Sequence, residues 1–117
     1  MTAAPRIDDF RFGHIMINGK VYNHDLIILP DRVLPNWWRV EGHFLSMEDL
    51  QQALSCSPRV LVIGTGVYGR MIIPEDTREL IAGAGVQLMS LPTDKACEIF
   101  NQFRNEECVV AALHLSC

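Results

Sequence analysis

The chain has 117 residues, a length at which one hydrophobic core and one domain over residues 1–117 are expected. Apolar residues make up 49% and charged residues 21% of the sequence, a globular composition that excludes a disordered chain. The formal net charge of −4 argues against nucleic acid as a partner, because binding to phosphates requires a clustered Lys and Arg surface.

The N-terminal segment resembles no targeting signal. It contains Asp8 and Asp9 and lacks an apolar stretch, unlike a secretory signal or a transit peptide. A flexible tail is expected over residues 1–8 at most. The longest apolar runs are far shorter than the roughly 20 residues that span a bilayer. We therefore expect a cytoplasmic protein with no membrane contact.

The first predicted element is a β-hairpin. Asn18-Gly19 separates two runs rich in aromatic and β-branched residues, 10–17 and 20–29. A type I′ turn needs positive φ at both central residues, and Asn and Gly adopt it at the least energetic cost. The sequence therefore predicts two antiparallel strands joined at this turn, followed by an irregular edge strand over residues 33–40.

A short helix is predicted to begin near Ser46. The segment 46–49 resembles a capping box, in which the serine hydroxyl accepts a backbone N–H of the first turn. Apolar residues at i, i+3 and i+7 from Met47 would form one buried stripe. Because Pro58 prevents continuation, we expect a helix of about three turns.

The rest of the chain alternates between strand and helix patterns. Three apolar runs, the first uninterrupted and the second nearly so, are typical of strands in parallel sheets, and two segments between them are typical of crossover helices. The runs span residues 60–63, 86–89 and 109–115, and the helices span residues 74–84 and 93–105, the second with Thr93 as its N-cap. The prediction is a three-layer α/β/α-type sandwich with a mixed sheet, in which an N-terminal antiparallel hairpin precedes β-α-β-α-β crossovers.

The segment 64–69 matches G-x-G-x-x-G directly after a buried strand, as in a dinucleotide-binding loop. In that motif the helix begins within the glycines, whereas here Pro74 delays it. We therefore expect no dinucleotide or other cofactor, and we interpret the glycines as a sharp turn at the end of a central strand. Because open α/β sheets bind ligands at that edge, Thr65, Gly66 and Thr93 are candidate contacts.

Residues 37–43 form a second candidate site. Adjacent tryptophans in an extended segment point to opposite sides, so at least one is expected at the surface. Trp and Arg are enriched at binding hot spots, so Trp38 and Arg39 are candidates for anchoring a partner, although simple capping of the sheet edge is favoured. His43 with Arg39 and Glu41 could form a proton-transfer or anion-binding cluster, but a solvated loop is the favoured interpretation.

No metal site is predicted, because no two histidines share a metal-ligand spacing and the four cysteines contain no CxxC pair. Free thiols in a reducing compartment are expected. Cys97, near the start of a predicted helix, is the best candidate for a nucleophilic or redox-active thiol, because a helix N-terminus lowers the pKa of a thiol. Packing as a small apolar residue is the favoured interpretation.

Short strings over most of the chain match one family in order and spacing. They are Trp37-Trp38-Arg39, Glu41-Gly42-His43, Ile63-Gly64-Thr65-Gly66, Leu91-Pro92-Thr93, Ala96-Cys97, Phe100-Asn101 and Ala111-Ala112-Leu113-His114-Leu115. They resemble a family of domains of unknown function that includes mitochondrial complex I assembly factors and an adipogenesis-associated protein. The resemblance implies a compact three-layer α/β sandwich and no established reaction, cofactor or catalytic residue. Its best understood branch works through protein contacts.

Two functional hypotheses follow. The first is a non-enzymatic protein-interaction or assembly module that uses the Trp38-Arg39 segment, since no complete catalytic set is present. The alternative is a small-molecule binder or enzyme with its site at the Gly64-Thr65-Gly66 turn, to which Thr93, Arg39 and His43 would contribute polar groups. Other proteins are the expected partners, and apolar edge strands leave a homo-oligomer open.

Overall fold

The structure of the protein, a computed structural model, describes residues 4–106 and 108–116. Over these residues the chain forms strands β1 (Ile7–Arg11), β2 (His14–Ile17), β3 (Lys20–Tyr22), β4 (Leu26–Ile28), β5 (Val33–Pro35), β6 (Val60–Thr65), β7 (Gln87–Leu91) and β8 (Val109–His114). The helices are α1 (Gln51–Leu54), preceded by a 3₁₀ turn at Glu48–Leu50, α2 (Glu75–Gly83) and α3 (Thr93–Phe103). The strands form a three-stranded sheet, β1-β2-β3, and a five-stranded sheet ordered β5-β4-β8-β6-β7.

The hairpin predicted at Asn18-Gly19 is confirmed. These two residues have φ of 50° and 78°, the left-handed values that the turn between β2 and β3 requires. The flanking strands are shorter than predicted, because a turn at Phe12-Gly13 separates β1 from β2 and residues 23–25 separate β3 from β4. β3 belongs to the smaller sheet and β4 to the larger one. A continuous apolar pattern does not show that the chain passes from one sheet to the other between them.

The first strand begins earlier than the sequence suggested. Ile7 is buried, and both of its backbone polar groups bond to the Asn101 side chain of α3, at 3.0 Å and 2.8 Å. The carboxylate of Asp8 accepts the Gly19 N–H at 2.7 Å, and this bond, with those from Arg6, lowers the pKa of Asp8. Residues 7 and 8 are thus ordered parts of β1, so the flexible tail expected over residues 1–8 excludes them.

The β-α-β-α-β pattern is confirmed. Strand β6 lies between β8 and β7 and is parallel to both, while β4 is antiparallel to β8 and β5 is antiparallel to β4. Helix α2 connects β6 to β7, and α3 connects β7 to β8. Every residue of β6 and β8 is buried, as expected for central strands that are covered on both faces.

The two faces of the five-stranded sheet pack against different elements. One face contacts α3 and the three-stranded sheet, with Phe100 and Ile15 in a shared core. The other face packs on α1, α2 and the segment between β5 and the 3₁₀ turn, with Ile81 and Trp37 in a second core. This is the predicted three-layer arrangement, with the smaller antiparallel sheet lying beside α3.

The first helix is shorter than the expected three turns and ends at Leu54. A reciprocal capping pair is present, since the Ser46 N–H donates to Asp49 Oδ2 at 3.0 Å and the Asp49 N–H approaches Ser46 Oγ at 3.4 Å. Asp49 also accepts the Val40 N–H at 3.0 Å and is buried. The turn therefore anchors the preceding loop, and beyond the other end of the helix Ser57, with a φ of 51°, turns the chain before Pro58.

One edge of the large sheet gathers the candidate residues. The parallel strands β6 and β8 end there at Thr65 and His114, and Asp25 lies directly before the antiparallel strand β4. Strand β5 also ends at this edge, at Pro35, because Asn36 has a φ of 59° and turns the chain away. The edge strand expected to reach residue 40 therefore stops five residues earlier. We call this the carboxyl edge.

Candidate functional site

A buried ion pair lies at the carboxyl edge. Arg39 Nη2 is 2.9 Å from Asp25 Oδ2, and the two side chains are only 5% and 17% exposed. His114 Nδ1 is 2.8 Å from the same oxygen, while the Leu115 N–H donates to Asp25 Oδ1 at 2.7 Å. We call Asp25, Arg39 and His114 the buried triad.

The contacts of the triad fix the proton on the His114 ring. An ionised carboxylate only accepts hydrogen bonds, so His114 Nδ1 must carry the hydrogen that points to Asp25. The approach of Arg39 Nη2 to that nitrogen, at 3.1 Å, is then a contact between two donors. Nη2 instead donates to the Gly42 carbonyl, 3.0 Å away, and forms an ion pair with Asp25.

The triad keeps Asp25 ionised at neutral pH. Burial alone would raise the pKa of this carboxyl, but the hydrogen bonds from His114 and Leu115 and the charge interactions with His114 and Arg39 outweigh it. The pKa of Asp25 is therefore lowered from its ordinary value of 3.8. A stable negative charge at this position holds the guanidinium and the imidazole in place.

The Arg39 side chain points into the protein, whereas the first hypothesis used it as a surface contact for a partner. Its Nε and Nη2 both donate to the Gly42 carbonyl, and its guanidinium carbon lies 4.8 Å from the centre of the Trp37 ring. Trp37 is buried, whereas Trp38 is 75% exposed, as expected for neighbouring residues of an extended segment. By the same alternation the Arg39 side chain faces inward toward Asp25.

Two buried nitrogen atoms of the triad form no hydrogen bond with any described residue. They are Arg39 Nη1 and His114 Nε2, which have no partner within residues 4–106 and 108–116. Both residues line a cleft of ≈ 320 Å³, which Trp38 and His24 also line. Buried polar groups without a partner are rare in folded proteins and are often found at functional sites. We call this space the triad cleft.

His43 lies near the triad on an exposed loop, as the favoured interpretation held. Its ring meets the His114 ring edge-on, with the centroids 6.3 Å apart. The His43 carbonyl accepts the Ile72 N–H at 2.7 Å, which ties this loop to the segment after β6. His43 therefore borders the triad through His114.

The polar groups of the glycine turn are engaged within the protein. Thr65 Oγ1 donates to the Leu91 carbonyl at 3.0 Å. The Gly66 N–H donates to Thr93 Oγ1 at 2.9 Å, and Thr93 Oγ1 donates to the His114 carbonyl at 2.6 Å. Thr93 was expected to be the N-cap of α3, but Pro92 holds that position. The Thr93 hydroxyl instead joins the ends of β6 and β8.

The glycine motif supports close packing at this turn. A Cβ on Gly64 would lie 2.8 Å from Thr93 Oγ1 and 3.0 Å from Leu113 Cδ2, so the strand can approach α3 only without a side chain. Helix α2 begins at Glu75, well beyond the glycines. The helix that follows the glycines in the chain therefore does not begin within them, as it does in a dinucleotide-binding loop.

Cys97 lies on α3 and its side chain is buried in the core. Burial, with smaller contributions from the charges of Asp94 and Glu98, raises the pKa of its thiol to about 12. This shift is opposite to the one a reactive thiol requires, so the structure supports the interpretation of Cys97 as a packed apolar residue.

A second surface lies next to the triad cleft. Trp38, Val40, Phe44 and Ile72 are 75%, 72%, 46% and 52% exposed. Trp38 and Val40 line one cleft, Val40 and Phe44 line another, and Phe44 pairs with Ile72 in a parallel bridge. These four neighbouring side chains form what we call the apolar ridge.

Asp25 and His114 are site residues that the sequence did not single out. His114 ends a predicted parallel strand, so the rule that ligands bind at the carboxyl ends of such strands could have selected it. Asp25 precedes an antiparallel strand, and nothing local marks it. Within residues 4–106 and 108–116, no group of three or more His, Cys, Asp or Glu side chains is arranged to hold a metal ion. No helix in those two ranges is long and apolar enough to cross a membrane.

Known proteins share this fold and sequence pattern. A conserved hypothetical protein from Pyrococcus horikoshii OT3 is 26% identical with a TM-score of 0.82, over 96% of this chain and 99% of that one. A Rhodopseudomonas palustris protein is 27% identical with a TM-score of 0.74, over 97% and 87% of the two chains. A Mth938-like domain from Bordetella pertussis is 25% identical with a TM-score of 0.75, over 98% and 88%.

No curated protein is significantly similar to this sequence. The family model described as a protein of unknown function (DUF498/DUF598) matches residues 7–114. This range includes the strands of both sheets and the three helices. The chain therefore belongs to the DUF498/DUF598 family and has the fold of its Mth938-like members.

Proposed function

We propose that this domain is a protein-interaction module whose partner binds the apolar ridge. The observation that carries the proposal is the exposure of Trp38 and Val40, which are 75% and 72% accessible to solvent. Neighbouring exposed apolar side chains are typical of protein-binding surfaces, and Trp is among the residues most enriched at binding hot spots. The family that the sequence resembles includes an assembly-factor branch that works through protein contacts, which supports the same class of function.

The ridge is held in a fixed shape by buried hydrogen bonds. The Trp37 indole N–H donates to the Asp49 carbonyl at 2.9 Å, and the Val40 N–H donates to the Asp49 carboxylate at 3.0 Å. The Leu45 N–H donates to the Ile72 carbonyl at 2.9 Å, which fixes the far end. A surface that is already ordered loses little conformational entropy when a partner binds.

The charge around the ridge indicates the chemistry of the partner. The exposed side chains of Glu41 and Glu48 line the same cleft as Val40 and Phe44, a space of ≈ 260 Å³. The whole chain has a formal net charge of −4. A partner segment with an apolar anchor flanked by Lys or Arg would match both features. A cytoplasmic protein partner is our proposal, and a second copy of the chain is an outcome that the test can distinguish.

The test compares affinity capture by the wild type, a Val40→Ser/Phe44→Ser ridge variant and a Leu80→Ser control. Leu80 is 56% exposed on α2 and lines neither of the clefts that the ridge side chains line, so it is an exposed apolar control outside the ridge. A protein recovered by the wild type and the control is then purified, and its affinity is measured by calorimetry.

We expect the ridge variant to bind this protein about 30-fold more weakly, which corresponds to a loss of about 2 kcal/mol at a hot spot. Sedimentation of the wild type and the ridge variant tests self-association by the same surface. Equal affinity of the ridge variant and the control for every recovered protein would refute the proposal.

A further inference from the structure

We propose that the triad cleft binds the carboxylate group of a small organic anion, with Arg39 Nη1 and His114 Nε2 as its contacts. This inference does not depend on the proposed function. It rests on two buried nitrogens that have no partner among the described residues. Their side chains are 5% and 8% exposed, and both residues line one cleft.

The hydrogen bonds of the triad favour an anion over a cation. Both oxygens of Asp25 are already engaged, Oδ2 by His114 Nδ1 and by the ion pair with Arg39, and Oδ1 by the Leu115 N–H. The negative charge that a cation would need is therefore already offset by Arg39. The groups left over are an Arg39 N–H donor and His114 Nε2, and because Nδ1 already carries a hydrogen, Nε2 donates to the second carboxylate oxygen when the ring is protonated at both nitrogens.

The position of Arg39 suits it for this contact. Its guanidinium is held by Asp25, by the Gly42 carbonyl and by the Trp37 ring, so Nη1 is fixed by contacts at its other atoms. The burial of Nη1 and Nε2 reduces competition from bulk water, which strengthens a charge-assisted hydrogen bond. Asp25 offsets one of the two positive charges of Arg39 and the doubly protonated His114 ring, so the single negative charge of a carboxylate fits better than the two charges of a phosphate dianion.

The walls of the cleft indicate a flat organic group next to the carboxylate. Trp38 and His24 both line the cleft, and their ring centroids are 5.9 Å apart with planes tilted by 44°. The volume of ≈ 320 Å³ is at the lower end of the range for ligand pockets and fits a small molecule. The chemical class is therefore an aromatic or other planar monocarboxylate.

The experiment is an NMR titration of the ¹⁵N-labelled protein with benzoate, with benzamide as the uncharged control and inorganic phosphate as the competing anion. Ionic strength is held constant. We expect saturable shifts of the Gly42, Leu115 and Ser116 amides with benzoate, and at least tenfold weaker effects with benzamide and phosphate. Shifts by benzamide or phosphate that equal those by benzoate would overturn the proposed class, and no saturable shift with benzoate would overturn the site.

Two variants locate the binding. Arg39→Lys keeps the charge that faces Asp25 but removes Nη1, so benzoate should bind at least tenfold more weakly, once a dispersed spectrum shows that the variant is folded. Trp38→Ala removes an exposed ring and leaves the triad intact. It should weaken benzoate several-fold and leave acetate unchanged, and unchanged benzoate affinity would overturn the role of the planar group.

A third variant separates this inference from the proposed function. Val40 and Phe44 do not line the triad cleft, so Val40→Ser/Phe44→Ser should bind benzoate as the wild type does. Loss of protein capture with intact benzoate binding would support two separate sites. Loss of both in a folded variant would contradict the placement of the carboxylate in the triad cleft.

Discussion

Replacing Asp25 by Asn should strongly destabilise the protein. Arg39 is 5% exposed and would keep its charge without the carboxylate that balances it. Removing one partner of a fully buried ion pair is destabilising by roughly 3–5 kcal/mol, and the 17% exposure of Asp25 places the expected loss near the lower value, about 3 kcal/mol. Because a domain of this size has an unfolding entropy near 0.25 kcal/mol per kelvin, Tm should fall by about 12 °C.

The assay is urea unfolding followed by circular dichroism at neutral pH. Asp9→Asn is the matched control, because it removes one carboxylate from an ion pair with Arg11 whose side chains are 46% and 75% exposed. A pair this exposed should contribute less than about 0.5 kcal/mol. An Asp25→Asn variant as stable as Asp9→Asn would refute the argument that Arg39 depends on Asp25.

The same substitution predicts a pH dependence. Because the pKa of Asp25 is lowered in the folded state, its stabilisation is present above the ordinary value of 3.8 and is lost as pH falls through the folded-state pKa. The difference in free energy of unfolding between wild type and Asp25→Asn should therefore be constant near neutrality and shrink below about pH 4. A difference that stays constant to lower pH would show that the effect of the substitution does not come from the charge.

Three further substitutions and modifications test other parts of the structure. Gly64→Ala places a Cβ 2.8 Å from Thr93 Oγ1 and should destabilise the protein by about 1–3 kcal/mol in thermal unfolding, so an unchanged Tm would contradict the close packing. Gly19→Ala strains a residue with a φ of 78° and should increase hydrogen exchange of the β2-β3 hairpin by an amount that corresponds to about 1 kcal/mol, whereas unchanged protection would contradict the turn assignment. Cys97, with a thiol pKa of about 12, should be alkylated by iodoacetamide at neutral pH only when urea unfolds the chain. Peptide mass spectrometry should show Cys56 reacting first in the native protein, because Cys56 is exposed and burial raises its pKa less. Modification of native Cys97 at the rate of Cys56 would restore the hypothesis of a reactive thiol.

The parts of the fold that the sequence predicted are those determined by neighbours in the chain. The turn at Asn18-Gly19 depends on the conformational freedom of two residues, and the buried strands β6 and β8 show uninterrupted apolar runs. The end of β3 could not be predicted in this way. Residues 23–25 interrupt an extended pattern because Asp25 bonds to His114, 89 residues away.

The candidate site was harder to predict, for the same physical reason. The hot-spot composition of Trp38-Arg39 drew attention to the correct segment, and the exposure of Trp38 agrees with it. The burial of Arg39 depends on a carboxylate from another strand, and a single sequence does not show that pairing. Likewise, Thr93 has the sequence position of a helix cap, but its hydroxyl accepts the Gly66 N–H and donates to the His114 carbonyl.

The two proposed sites share one extended segment, and its alternation explains how both are built. Trp37 and Arg39 face inward, where Asp49 and Asp25 bind them, so Trp38 and Val40 must face solvent. The buried contacts therefore fix the position of the exposed side chains as well as that of the guanidinium. A substitution that breaks the Arg39 pair should disturb partner binding and carboxylate binding together, whereas a change to Val40 and Phe44 removes only contact area on the ridge. The ridge variant is for that reason the decisive one, since it can separate the two activities without disturbing the ion pair on which both depend.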